Sequence, residues 1–119
     1  KSRSRGLGDV YKRQREGWKN MLESIAEIDG AVWITFDIDG LDGKLVPSTG
    51  TPVPGGLSHW AAVEVIESIF SSPGVKVLGA DVNEIAPGKE GPLTEFNAAL
   101  IATKIISCHI ANFLNETGE

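Results

Sequence analysis

The most constraining feature of the sequence is a short apolar run that ends abruptly in acid. Ala31 to Phe36 carries Val32, Trp33, Ile34 and Thr35 with no polar alternation, then stops at Asp37-Ile38-Asp39. A run without alternation predicts a strand buried on both faces, as in a parallel sheet. A second such run, Val75 to Leu78, continues toward Asp81, Asn83 and Glu84. Between and around these strands lie helical patterns. Trp18, Met21, Leu22 and Ile25 recur at helical spacing within a helix predicted over 15–28, stopped by Asp29-Gly30. Ser58 is a suitable N-cap for a helix carrying Trp60, Val63, Ile66 and Phe70, closed by Ser71 to Gly74. Thr94 is placed as the cap of a last helix, to about Leu114, with Leu100, Ile101, Ile105 and Cys108 on one face. Helix alternating with strand predicts an α/β fold around a parallel sheet. Two strands make a poor sheet, so the predicted strands need neighbours from elsewhere, and the chain reads as a fragment.

Charge divides the chain. Six of its 11 basic residues (Lys1, Arg3, Arg5, Lys12, Arg13 and Arg15) fall in the first fifteen positions, while the rest holds five basic against 15 acidic groups. A basic arm can bind nucleic acid, but this one has a single aromatic, Tyr11, and the acidic body opposes phosphate. Residues 1–14 are read as a non-native or disordered basic arm and residues 15–119 as the domain. No nucleic-acid partner is expected. The one cysteine, Cys108, cannot form an internal disulfide and is read as packing. No uninterrupted apolar run reaches the ~20 residues of a bilayer span, so no membrane partner is expected either. No apolar leader follows the basic start, and a cytoplasmic protein is the expectation.

The chemistry is sought at the carboxyl ends of the strands, where open α/β sheets bind their ligands. Asp37 and Asp39 are two apart, and on an extended backbone they point to one side. Paired carboxylates repel unless a cation or shared proton offsets them, and their hard oxygens suit Mg²⁺, Mn²⁺ or Ca²⁺. Asp42 reads as a turn cap and Asp81 is left open. His59 and His109, the only histidines, read as structural or surface residues. Trp18, Trp33 and Trp60, spread over separate elements, read as core. The long Gly- and Pro-rich loop over 40–57 is of the kind that is usually functional.

Three families share the acidic string. The EF-hand pattern fails, because the glycine comes fourth, at Gly40, and the twelfth position from Asp37 is Ser48. Phe36-Asp37-Ile38-Asp39-Gly40 resembles the haloacid-dehalogenase-like phosphatase motif, with Asp37 as nucleophile, but Leu41 stands where that family has Thr. A free-standing interaction module that uses the basic arm is a further alternative.

The longest resemblance is to the ureohydrolases, the family of arginase and agmatinase, over roughly residues 20–114. It is carried by Phe36-Asp37-Ile38-Asp39-Gly40-Leu41-Asp42, by Pro47-Ser48-Thr49-Gly50-Thr51-Pro52-Val53-Pro54-Gly55-Gly56-Leu57, and by Gly79-Ala80-Asp81-Val82-Asn83-Glu84-Ile85-Ala86-Pro87. The resemblance implies the C-terminal part of a three-layer α/β/α arginase-like fold. It implies that Asp37 and Asp39 ligate a pair of Mn²⁺ ions, that Glu84 binds a guanidino substrate, and that Thr51 lies near that pocket. The implied reaction is water attack on a guanidino or formimino carbon, releasing urea or formamide and an amine. The implied parent is a homotrimer or homohexamer. Gly43 departs from the family's usual proline. The family's G-G-D-H and D-A-H-x-D elements, which carry its other metal ligands, are absent from this sequence, so the chain alone is expected to be inactive.

Overall fold

The computed structural model describes residues 7–88 and 90–118, with side chains from Lys12 onward. The elements run α1 (Leu7–Ala26), β1 (Gly30–Asp37), a 3₁₀ turn (Ile38–Gly40), α2 (His59–Ser71), β2 (Val75–Asn83) and α3 (Leu93–Thr117). The alternation matches the sequence expectation. Residues 1–6 of the basic arm lie outside the described residues. From Leu7 onward the arm is helical, and α1 passes residue 14 without a break. Trp18, Leu22 and Ile25 form its half-buried stripe. The Trp18 Nε1–H donates to Glu64 Oε2 at 3.0 Å, tying α1 to α2.

β1 and β2 pair in parallel, from Gly30 opposite Val75 to Asp37 opposite Asn83. The chain turns from α1 into β1 at Gly30, whose φ of 98° needs a residue without a Cβ. The Gly30 N–H then meets Gly74 O at 2.8 Å. A register shift between Val32 and Trp33 brings Trp33 opposite Gly79.

α2 and α3 cover one face of this sheet, and one apolar core forms between them. It contains Ile34, Ile38, Leu41, Val46, Ala62, Ile66, Phe70, Ala98, Ile101 and Ile105. Among the described residues nothing covers the opposite face, which corrects the expectation of a strand buried on both sides. Trp33 is 60% exposed and Leu78 61%. Trp60, at 76%, is also outside the core, so of the three tryptophans read as core only Trp18 is even half-buried.

Ser58 caps α2 as expected, its Oγ accepting the Ala61 N–H at 3.1 Å. Thr94 does not cap α3. The helix begins one residue earlier, and the fully buried Thr94 Oγ1 instead accepts the Ser48 N–H at 2.8 Å. The buried side of α3 is Thr94, Asn97, Ala98, Ile101 and Ile105, while Leu100 faces outward.

By length and composition alone, α3 is long and apolar enough to cross a membrane. The expectation of no spanning segment rested on uninterrupted runs, and α3 is interrupted by polar residues that hold the fold. Asn97 Nδ2 donates to Leu45 O at 2.7 Å and Asn112 Nδ2 to Phe70 O at 2.9 Å. Lys104 pairs with Glu67 of α2, and that hydrogen bond raises the lysine pKa.

Candidate metal and substrate site

Parallel pairing puts the carboxyl ends of both strands at one edge of the sheet. Asp37 stands opposite Asn83, and Glu84 is the next residue. Neighbouring strands lie ~4.8 Å apart, so the two acidic strand ends form one rim. This is the end at which open α/β sheets present ligands.

The backbone delivers the two aspartates differently from the sequence expectation. Asp37 is extended, with φ −87° and ψ 118°, but Asp39 lies in the 3₁₀ turn. The same-side argument from a continuous strand therefore does not apply. What leaves both acids at the rim is the residue between them. Ile38 is wholly buried in the core, while Asp37 is exposed and Asp39 half-buried. Among the described residues, no ion pair or hydrogen bond engages the Asp37 or Glu84 carboxylate. Asp39 has one partner: the Thr51 hydroxyl donates to Asp39 Oδ2 at 3.0 Å. Thr51 was expected beside the substrate pocket, and the structure ties it to the aspartate.

The loop over 41–57 is held to the strand end by its own backbone. Asp42 N–H meets Leu57 O at 2.9 Å, Leu57 N–H meets Gly40 O at 2.9 Å, and Gly43 N–H meets Val53 O at 2.8 Å. A proline at Gly43 would lack the last of these donors. Asp42 is a turn brace, as expected: Oδ1 accepts Lys44 N–H at 2.9 Å and Oδ2 accepts Gly55 N–H at 3.0 Å. Those two bonds, the Lys44 one foremost, hold its carboxyl below the usual aspartate range. A depressed acid stabilises the fold above its unfolded pKa of about 3.9, and that contribution is lost as pH falls through the lower folded value. The Lys44 and Gly55 amide shifts should therefore titrate together, below the usual aspartate range, and Asp42→Asn should abolish the shared step.

Ser48 joins this loop to the other strand end. Its N–H reaches Thr94, and its carbonyl accepts the Ala86 N–H at 3.0 Å, two residues past Glu84. Glu84 itself has φ 66°, the one non-glycine among the described residues in the left-handed region. A glutamate held there costs ~1–3 kcal/mol, and such outliers collect at functional sites. Sequence reasoning gave no signal for it.

Asp81, left open from sequence, is engaged. Its Oδ2 accepts the Trp33 Nε1–H at 2.7 Å and its Oδ1 accepts the Asn83 amide. The histidines are apart from the rim acids. His59 packs edge-on against Trp60, with ring centroids 5.3 Å apart, and His109 lines an apolar groove of about 390 Å³ between β2 and α3. None of Asp37, Asp39, Thr51 or Glu84 lines that groove. Cys108 is half-buried, and burial raises its thiol pKa, in keeping with packing. Among the described residues no three His, Cys, Asp or Glu side chains come close enough together to hold a metal. The rim carboxylates are hard oxygen donors, of the kind that suits Mg²⁺, Mn²⁺ or Ca²⁺.

The sequence pattern of the Arginase family matches residues 8–108. An N(1)-aminopropylagmatine ureohydrolase from Thermus thermophilus is 35% identical over 108 residues, covering 88% of this chain and 34% of that protein. An agmatinase from Chromobacterium violaceum is 40% identical over 89 residues, covering 70% of this chain and 27% of the relative. The chain thus spans about a third of the length of the curated relatives it matches. A crystal structure of a hypothetical agmatinase from Burkholderia thailandensis superposes with a TM-score of 0.68 at 37% identity, over 80% of this chain and 30% of the other. The two-stranded sheet with its helices is accordingly part of the arginase and agmatinase fold. The acidic string Phe36–Gly40 falls inside this long match. With its strand-end acids, its glycine-rich loop and both of its strands inside the matched span, the chain belongs to the Arginase family.

Proposed function

We propose that this chain is the segment of a manganese-dependent ureohydrolase that supplies two metal-binding aspartates and the guanidinium-binding carboxylate. The observation that carries the reading is the shared rim: Asp37 opposite Asn83 in a parallel pair, with Glu84 next and Asp39 one turn on. A guanidinium presents a planar fork of N–H donors that a carboxylate accepts in pairs. Glu84, exposed and without a partner among the described residues, is suited to that role. Asp37 and Asp39 would hold Mn²⁺, together with donors from outside the described residues. When bound, the metals supply Lewis-acid polarisation and a water activated at neutral pH. The Thr51 hydroxyl restrains the Asp39 carboxylate and leaves its other oxygen free. The matched relatives point to agmatine and its aminopropyl derivative as the substrate class, ahead of arginine. The same reading places the parent enzyme in the cytoplasm as a trimer or hexamer.

Urea release decides the matter. The 119-residue chain supplied with Mn²⁺ is expected to release none from agmatine, aminopropylagmatine or arginine, while the full-length product of its gene does. Robust turnover by the chain alone would refute the incomplete-site reading. A full-length protein inert toward all three would refute the function. In that protein, Thr51→Val should weaken Mn²⁺ binding ~10–100-fold, the usual cost of losing a partner behind a metal ligand. Thr51→Ser should restore it, and titration followed by electron paramagnetic resonance reads both.

A further inference from the structure

We propose that Trp33 and Asp81 are positioning residues for Glu84: the indole holds the Asp81 carboxylate, that carboxylate holds Asn83, and Asn83 hands the backbone to Glu84 in its left-handed conformation. The proposal rests on the substrate-binding role given to Glu84 above. Trp33 sits on β1 opposite Gly79, and its six-membered ring occupies the space that a Cβ on Gly79 would need. Lying across β2, the side chain reaches the diagonal neighbour Asp81, within the range of a long aromatic residue. The Nε1···Oδ2 distance of 2.7 Å is that of a short, charge-assisted bond. The other oxygen of Asp81 accepts the Asn83 side-chain amide, so both are in use. The chain of contacts thus runs from the open face of β1 to the last residue of β2, one position before the φ of 66° at Glu84.

This accounts for two facts the metal chemistry does not use: an aspartate near the strand end with no ion pair among the described residues, and a largely exposed tryptophan with a specific polar partner. A tryptophan at this position is not placed by core packing. Its N–H makes the tie and its ring requires Gly79.

The test is ¹⁵N relaxation and the HN–Hα coupling of Glu84 in the 119-residue chain. Trp33→Phe keeps a ring over Gly79 and removes the donor. Asp81→Asn keeps the shape and leaves an amide facing one of the two donors. In both, the Glu84 order parameter is expected to fall from ~0.85 to below ~0.6, and the coupling to average away from its left-handed value. The amides of Ile66, Ile101 and Ile105 should keep theirs. Trp60→Phe, a matched loss of an exposed indole outside this network, should leave Glu84 unaltered. An unchanged Glu84 in both variants overturns the proposal, as does a loss of order spread evenly over the core. Should Trp33→Phe fail to fold, Asp81→Asn decides alone. The measurement needs neither metal nor substrate, so an inactive full-length protein would remove the functional reading and leave this result standing.

Discussion

Leu41→Ala is expected to remove about 2–5 kcal/mol of stability, the range for deleting a leucine's branched end from a core that cannot collapse around the gap. Leu41 is fully buried, beside the equally buried Ile38, Val46 and Ile101. Its N–H closes the 3₁₀ turn on Ile38 O at 3.1 Å, and its backbone bridges Leu57. Small domains are stable by ~5–15 kcal/mol in total, and this one leaves Trp33, Trp60, Leu78 and Phe96 more than half exposed. The loss is therefore a large share of the whole. Urea denaturation should show a lower midpoint at an unchanged slope. A loss under about 1 kcal/mol would mean that the loop after Asp39 merely rests on the core instead of forming part of it.

That dependence explains why some of the molecule was legible from sequence and some was not. Local signals carried well. The Ser58 cap, the turn that Asp42 closes on Lys44 and the two strand ends are set by residues within a few positions of one another, and these the structure reproduces. The rim followed from two short strands and the parallel rule, because parallel strands must bring their carboxyl ends to the same edge. The failures are tertiary. Thr94 has every local qualification as a cap, yet a loop donor far away in sequence, Ser48, claims its hydroxyl. Continuous hydrophobicity in β1 predicts burial on two faces, but burial depends on what else is present, and here only one face is covered. Asp39 was assumed to continue the strand. The pull of Ile38 into the core turns the backbone into a 3₁₀ turn instead. Neither the Thr51–Asp39 bond nor the Trp33–Asp81 bond has any signature in spacing, since each joins residues that only folding brings together.

Gly56→Ala is the sharper probe of that assembled loop, because it adds only one carbon. A Cβ at Gly56 would stand 2.6 Å from both the carbonyl carbon and the oxygen of Leu41, and 2.8 Å from Asp42 N. All three are backbone atoms, so no rotamer change relieves the clash. The two strands of the loop must part, which strains the Asp42–Leu57 and Leu57–Gly40 hydrogen bonds. Overpacking of this kind costs typically ~1–3 kcal/mol. Gly40→Ala and Gly50→Ala are matched comparisons. Neither position has an atom within 4 Å of the added carbon, and neither has a positive φ. Both should be neutral or stabilise by ~0.4–1 kcal/mol through the unfolded state. Because Gly56 closes on Leu41 just past the rim, its alanine variant should also disturb the Thr51–Asp39 contact, visible as shifts of both amides. The comparison variants should leave the Thr51–Asp39 contact intact. Equal stability across all three would show that the close approach at Gly56 does not constrain the loop, and the tie from Thr51 to Asp39 would then need another cause.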